Sequence, residues 1–279
     1  LHSTSRRQRQ MCIRDRIYIG IMAGSLLLNS SCSDWLDLLP KNEQVTDAYW
    51  KSKEDVEAVI ASGYYYMRSS CQSLLKWGEL RGASICTLTG DKDGMKLQNF
   101  QLDGTESICK WENIYQVINM ANVVIAHAPG VHEIDDTYTE GAMNAHLSEA
   151  YFMRAYNYFH LVEQFGDVTL TTTYNASPST SSERHDMVRV YEEVIIPDLL
   201  NAIRLCSPSP QLNNLESGRA SAATARHLLS RVYLTLAWVF DKDPANPSYK
   251  GNTQTKYYNT TKAKEYYQKA FDMATGLIA

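Results

Sequence analysis

Six stretches of the chain carry apolar residues at helical spacing, and irregular polar segments separate them. The first runs from Asp47 to about Arg68. It sets Val56, Ile60, Gly63 and Met67 on one face in 4-3-4 register, with Thr46 placed to cap its start. The second, from near Ser107 to about Ala126, aligns Ile114, Ile118, Ala121 and Ile125, and Pro129-Gly130 reads as its stop. The third, roughly Thr139 to Phe165, is the strongest. Tyr151, Ala155, Tyr158, Val162 and Phe165 follow 4-3-4-3 spacing, and Phe152 and Phe159 widen the face. Glu149, Asn157, His160 and Gln164 fall on the opposite side, and Gly166 suits a left-handed cap. The fourth covers about Met187 to Leu205 with Ile195, Leu199, Ala202 and Cys206 in register. Pro197 inside it predicts a kink, because it removes a donor and crowds the preceding turn. The fifth, about Ser221 to Phe240, has a clean stripe of Ala222, Ala225, Leu229, Val232, Leu236 and Val239. The sixth, from about Thr260, places Ala263, Tyr267, Ala270, Ala274 and Leu277 on one side.

The segments between are turn-rich. Cys71–Asp103 reads as a long excursion broken by Gly78, Gly82, Gly90 and Gly94, with a short helix around Leu74–Leu80. Val168–Thr173 is extended in character, Asn175–Arg184 and Ser207–Gly218 read as loops, and Asp241–Lys256 is polar with Pro244 and Pro247. The expected class is all-α: degenerate tetratricopeptide-like helical repeats with long irregular loop excursions, the ideal repeat being about 34 residues. The second helix pairs with the third and the fourth with the fifth. The sixth opens a further pair whose partner lies near or past the end.

The N-terminal end has a different pattern. Ile17–Leu28 is almost wholly apolar, follows Arg14 and Arg16, and gives way to Asn29-Ser30-Ser31-Cys32. A basic start, an apolar run of about 7–15 residues and then small residues is the layout of a secretion signal. A membrane span needs about 20 apolar residues. Ending at Cys32, the pattern predicts a lipoprotein signal cleaved before that thiol, which is then acylated. The alternative is an ordinary secretory signal with an incidental cysteine. Residues 1–31 are therefore set aside as leader and signal, the arginines of Leu1–Arg16 being leader or sequence remnant, and residues 32–279 form the helical domain. The last residues lie within or at the edge of a helical pattern, so the chain reads as the front part of a longer protein.

Hydrophobic residues make up 44% of the chain, enough for a core, and a net charge of −4 argues against a nucleic-acid partner. Beyond Cys12 and Cys32, the cysteines are Cys71, Cys86, Cys109 and Cys206. They either pair in an exported protein or stay as buried free thiols. No metalloprotease, nucleophile-elbow, dinucleotide or phosphate-loop motif is present. Asp91-Lys92-Asp93-Gly94 lacks the spacing and closing Glu of a calcium loop and reads as a turn. Glu149 and Glu163 sit about 21 Å apart on one helix, too far to share a glycosidic bond. The residues therefore predict no catalysis, no metal and no cofactor. Exposed rings and polar side chains on loops can hold a ligand that arrives from water without any catalysis. That places ligand contacts in the Cys71–Asp103 excursion, at Trp77, Asn99 and Phe100. The competing reading is that Trp77 and Phe100 pin the loop to the core. Trp111, Tyr151, Tyr158 and Tyr233 are assigned to core packing, and Trp238 is left between the two roles.

Several segments, in order, carry a family resemblance. They are Asp34-Trp35-Leu36-Asp37 after Cys32; Tyr49-Trp50-Lys51-Ser52-Lys53-Glu54-Asp55; and Trp111-x-x-Ile114-Tyr115-x-x-Ile118-x-x-Ala121-Asn122. The long run from Glu149-Ala150-Tyr151-Phe152-Met153-Arg154-Ala155 through Phe165-Gly166-Asp167-Val168 follows, and then Gly218-Arg219-Ala220-Ser221 to Arg231-Val232-Tyr233-Leu234. Together these resemble the SusD/RagB outer-membrane lipoproteins of Bacteroidetes, with Thr169-Leu170 in place of the usual Pro-Leu and the C-terminal half of the pattern absent. The resemblance implies a surface-exposed protein held in the outer membrane through Cys32. It would bind a glycan, a peptide or another nutrient and pass it to a TonB-dependent (SusC-like) transporter. The alternatives are a lipid-anchored helical-repeat scaffold for envelope proteins, or a surface hydrolase whose catalytic residues lie in the missing half.

Overall fold

The computed structural model describes residues 49–80, 82, 85–88, 90–174, 183–206 and 218–278. The leader, Cys32, the segment behind it and the expected cap at Thr46 lie outside the described residues, as do most of the Asn175–Arg184 and Ser207–Gly218 loops.

Helix α1 (Lys53–Glu79) differs from expectation at both ends. It begins at Ser52, whose backbone N–H donates to the Asp55 carboxylate at 2.9 Å, an arrangement that holds the first turn. It then runs on through Cys71 and absorbs the short helix expected around Leu74–Leu80. The apolar stripe explains this: after Met67 it continues through Ser70, Leu74 and Trp77 at the same 3-4 spacing, and no breaker interrupts it before Gly78. Gly63 lies where α1 meets the helix that carries Met153 (Glu140–Phe165); a β-carbon there would stand 2.9 Å from Met153 Sδ. The excursion is thus shorter than predicted and holds a helix, α2 (Lys92–Gln98), capped by Asp91, which accepts from Gly94 N–H at 3.0 Å. The Asp91–Gly94 segment is therefore a helix start.

Helix α3 (Glu112–Ile134) begins after a single 3-10 turn at Ser107–Cys109, and it passes through Pro129-Gly130 instead of stopping there. Pro129 costs one backbone bond, but Ala128 and Val131 on either side are buried and hold the helix together. Helix α4 (Glu140–Phe165) matches its predicted bounds. Thr139 caps it, and Gly166 ends it with φ 69, a conformation that glycine adopts without steric cost. A two-residue antiparallel ribbon follows: β1 (Val168–Thr169) pairs with β2 (Arg184–His185), Val168 opposite His185 and Thr169 opposite Arg184. The fourth predicted helix is α5 (Met187–Val190), a π turn (Tyr191–Ile195) and α6 (Ile196–Cys206) in continuous succession. The irregularity expected from Pro197 takes the form of that π turn, which falls just before the proline. Helices α7 (Ala222–Phe240) and α8 (Thr260–Ile278) complete the described chain.

Consecutive helices pack in order: α1 on α3, α3 on α4, α4 on α6, α6 on α7, and α7 on α8. The fold is all-α with tetratricopeptide-like helical repeats, and the expected α3–α4 and α6–α7 neighbours are present. The last helix, α8, is packed along α7. Its Ala263, Tyr266 and Ala270 are buried there, and the Tyr266 ring stacks on Phe240 at 5.7 Å.

Helix α4 is central, so its supposed polar face is not free. Glu149 and Asn157 are buried along with the stripe, because α1, α3 and α6 all pack against it. His160 is half-buried, its ring 4.4 Å from Tyr156, and only Gln164 is exposed as expected. Among the described residues two clusters form the core. One joins Val56, Ile60, Val117, Val124 and Met153; the other joins Ile118, Tyr158, Phe159, Leu199, Leu229 and Leu236. Each large side chain removed from water in this way contributes about 1.5–3 kcal/mol.

Candidate functional site

The polar residues of the sequence motifs meet in two locks. In the first, Arg154 on α4 is only 8% exposed and gives a two-pronged bond to Asp198 on α6: Nε to Oδ2 at 2.7 Å and Nη2 to Oδ1 at 2.8 Å. Its Nη1 donates to Asn122 Oδ1 on α3 at 2.8 Å and to the Thr172 carbonyl at 3.1 Å. Asn122 Nδ2 donates to the Thr171 carbonyl, and Tyr158 Oη accepts from Thr171 N–H at 2.7 Å. One guanidinium thus ties three helices and the segment after β1 together. Burial pushes the Asp198 carboxyl above its ordinary range, and the Arg154 guanidinium pulls against that shift. Such a pair fixes one arrangement of its elements and adds modest net stability.

The second lock is at Arg219. Its Nε donates to Glu149 Oε2 at 2.9 Å and its Nη1 to Glu57 Oε1 at 2.9 Å. Tyr64 Oη donates to Glu149 Oε2 at 2.7 Å and accepts from Ala220 N–H at 2.8 Å. Burial, with Glu149 beside it, pushes the Tyr64 phenol well above its ordinary range, so it stays a donor. Hydrogen bonding to Arg219 lowers the Glu57 carboxyl. Glu149 is therefore consumed by the fold. Glu163 accepts from Tyr191 Oη at 2.5 Å.

The three residues expected to meet a ligand are separated in burial. Trp77 is 9% exposed and stands edge-on to Phe165 at 5.6 Å, so its ring pins α1 to α4 and is not open to a ligand arriving from water. Asn99 and Phe100 follow α2 and are exposed. Phe100 is 72% exposed and holds φ 57, so pinning to the core does not describe it. It stands where a helix C-terminus favours glycine: Gln101 N–H donates to the Lys96 carbonyl at 2.8 Å and Phe100 N–H to Leu97 at 3.2 Å. The left-handed conformation costs a side-chain-bearing residue about 1–2 kcal/mol.

Of the residues assigned to the core, Tyr158 and Tyr233 are buried and Tyr151 is half-buried, but Trp111 is 41% exposed. It occupies the position just before α3, without a side-chain capping bond, and stands edge-on to Phe165 at 5.1 Å. Trp238 is exposed beneath the Lys242 ammonium, 3.4 Å from the ring centre. Cys71, Cys86, Cys109 and Cys206 are free thiols, but none is fully buried; Cys71 and Cys86 are exposed. Among the described residues no group of three or more His, Cys, Asp or Glu is placed to hold a metal ion.

Residues 34–234 match the family model described as "Starch-binding associating with outer membrane". The chain belongs to the SusD-like family. It is 29% identical over 221 residues to SusD-like protein P2 of Formosa agariphila, which covers 75% of this chain and 41% of that protein. A solved SusD homologue from Bacteroides thetaiotaomicron superposes with a TM-score of 0.64 at 20% identity, covering 84% of this chain and 42% of the other. A further structure, solved with a xylogluco-oligosaccharide, superposes with a TM-score of 0.56 at 21% identity, covering 78% and 40%. The chain thus spans less than half the length of these proteins.

For a SusD-like chain, the two locks give the motif letters a physical role. Glu149 and Arg154 belong to the long helix motif, Asn122 to the motif of α3, and Arg219 to the Gly-Arg motif before α7. Each binds an element far away in sequence. Their spacing along the chain gave no sign of this, since Arg219 and Glu149 are brought together only when α4 and the start of α7 meet across α1.

Proposed function

We propose that this SusD-like chain is the N-terminal part of a surface lipoprotein, anchored through Cys32, that captures a glycan without transforming it and delivers it to a TonB-dependent (SusC-like) outer-membrane transporter. The observation that carries the reading is the family match across residues 34–234. The relative solved with a xylogluco-oligosaccharide supports a glycan as the ligand class. Asn99 and Phe100 are the proposed contacts in the α2 loop, where an exposed ring is held in a strained backbone conformation. Strain of this kind collects at binding sites, where the surrounding structure enforces it.

The test is a binding panel of polysaccharides and oligopeptides with the full-length protein, together with purification from membranes and labelling by a palmitate analogue. The reading expects saturable binding of one glycan class, copurification of a large barrel, and label that Cys32→Ala abolishes. Protein partners with no small ligand would instead support the scaffold, and release of reducing sugar by the full-length protein would support a hydrolase. Either result overturns the proposal.

A further inference from the structure

At the end of the stack where α3 begins and α4 ends, a cleft of ≈ 410 Å³ is lined by Trp111, Tyr115, Phe165, Asp167, Thr169 and Arg184, among others. Its size falls within the range of small-ligand sites, about 300–1,000 Å³. The exposed Trp111 ring is braced edge-on by Phe165 at 5.1 Å and 85°, and Phe165 is braced in turn by the buried Trp77. The ring is therefore held in place while part of it faces water. The opposite wall is equally fixed. Tyr115 Oη donates to the Thr169 carbonyl at 2.9 Å, tying β1 to α3, and the β1–β2 register sets Arg184 directly across from Thr169. Arg184 is exposed and has no ion pair among the described residues. Asp167 is exposed; its Oδ1 accepts from Met187 N–H at 3.0 Å.

The chemistry of this wall is specific. A pyranose ring offers a flat C–H face for an aromatic platform, and its edge carries hydroxyls that both accept and donate. Trp111 supplies the platform, the Arg184 guanidinium donates, and the remaining lone pairs of Asp167 accept. One positive and one negative group in the same small cleft leave no net charge to attract an acidic or a basic ligand. The ring and the backbone of both walls are already fixed, so the ordering cost on binding falls mainly on the Arg184 side chain, about 0.5–1.5 kcal/mol.

We propose that the Trp111 cleft is a subsite for a neutral pyranose unit of the captured glycan, with the sugar ring stacked on Trp111 and its hydroxyls held by Arg184 and Asp167. This rests on the glycan-capture reading and adds a second contact region to the α2 loop. The test is isothermal titration of the full-length protein with neutral oligosaccharides (maltohexaose, cellohexaose, xylohexaose and a xyloglucan oligosaccharide) and with one acidic set of oligogalacturonides. Trp111→Leu keeps an apolar contact for Phe165 but removes the platform. Arg184→Ala is a change at an exposed position and leaves the packing untouched, so it reports even if Trp111→Leu fails to fold. Each is expected to weaken the bound neutral oligosaccharide about tenfold, with melting temperature unchanged for Arg184→Ala. That ligand should also shield Trp111 fluorescence from acrylamide. Wild-type binding that both variants retain in full overturns the subsite and leaves glycan capture standing. Binding confined to the acidic set overturns the neutral assignment. No binding of any glycan overturns both.

Discussion

Removing Asp198 should unlock the centre of the fold. In Asp198→Ala the Arg154 guanidinium, buried among α3, α4 and α6, loses two of its four hydrogen bonds and its counter-charge. Breaking a buried pair by deleting one partner costs about 3–5 kcal/mol. Arg154 keeps Asn122 Oδ1 and the Thr172 carbonyl, so the lower end of that range, about 3 kcal/mol, is expected. This is a large share of a typical folding free energy of about 5–15 kcal/mol. The double replacement Arg154→Leu/Asp198→Leu removes the stranded charge. It leaves the acceptors of Asn122 and Thr172 without their donor, a cost of about 1–3 kcal/mol. Urea titrations of the full-length protein followed by far-ultraviolet circular dichroism should therefore show the double variant destabilised by less than the sum of the Arg154→Leu and Asp198→Leu single changes. Additive losses, or a cost for Asp198→Ala below about 1 kcal/mol, would refute the claim that this pair joins the helices.

Other consequences are open to measurement. Burial holds the His146 and His160 rings at a pKa of about 4, below the ordinary 6.5, so the folded chain prefers them neutral. Stability is then full above pH 6.5 and falls as the pH drops toward 4. By pH 5 each ring should have cost about 1–2 kcal/mol, and His160→Phe should make the decline in a pH series of urea midpoints shallower. Arg219→Ala strands the buried Glu149 carboxylate beside Tyr64 and should cost about 1–3 kcal/mol, read as a lower melting temperature. Phe100→Gly relieves the left-handed strain and should raise stability by roughly 1 kcal/mol while weakening glycan binding; a destabilised Phe100→Gly would contradict the backbone argument.

Much of the scaffold was legible because it rests on periodicity. The stripes of α4 and α7 and the cap at Gly166 follow from local spacing alone, and their bounds agree with the structure; in α8 the buried ring is Tyr266, while the expected Tyr267 is exposed. Readings that depended on tertiary context were the ones that changed. Pro129-Gly130 looks like a stop, but the packing of Ala128 and Val131 carries α3 across it. Glu149 and Asn157 mark a polar face only if one side of α4 meets water, and its central position removes that condition. Trp111 fits the start of a core stripe, yet helix α3 begins one residue after it and leaves the ring at the rim. Trp77 and Phe100 look alike as aromatic residues of one excursion. The extension of α1 buries the first, and the end of α2 presents the second to solvent. The partners of Arg154 and Arg219 lie up to 162 residues away, a distance no local pattern spans.

The central claim is that motif residues hold the stack together while exposed loop residues meet the sugar. It is tested most directly by titrating the bound oligosaccharide into two full-length variants side by side, at a temperature where both are folded. The account predicts that Asn99→Ala/Phe100→Gly loses about tenfold in affinity without melting earlier, and that Asp198→Ala melts earlier but binds as the wild type does. Full affinity in the loop variant together with lost affinity in folded Asp198→Ala would contradict it.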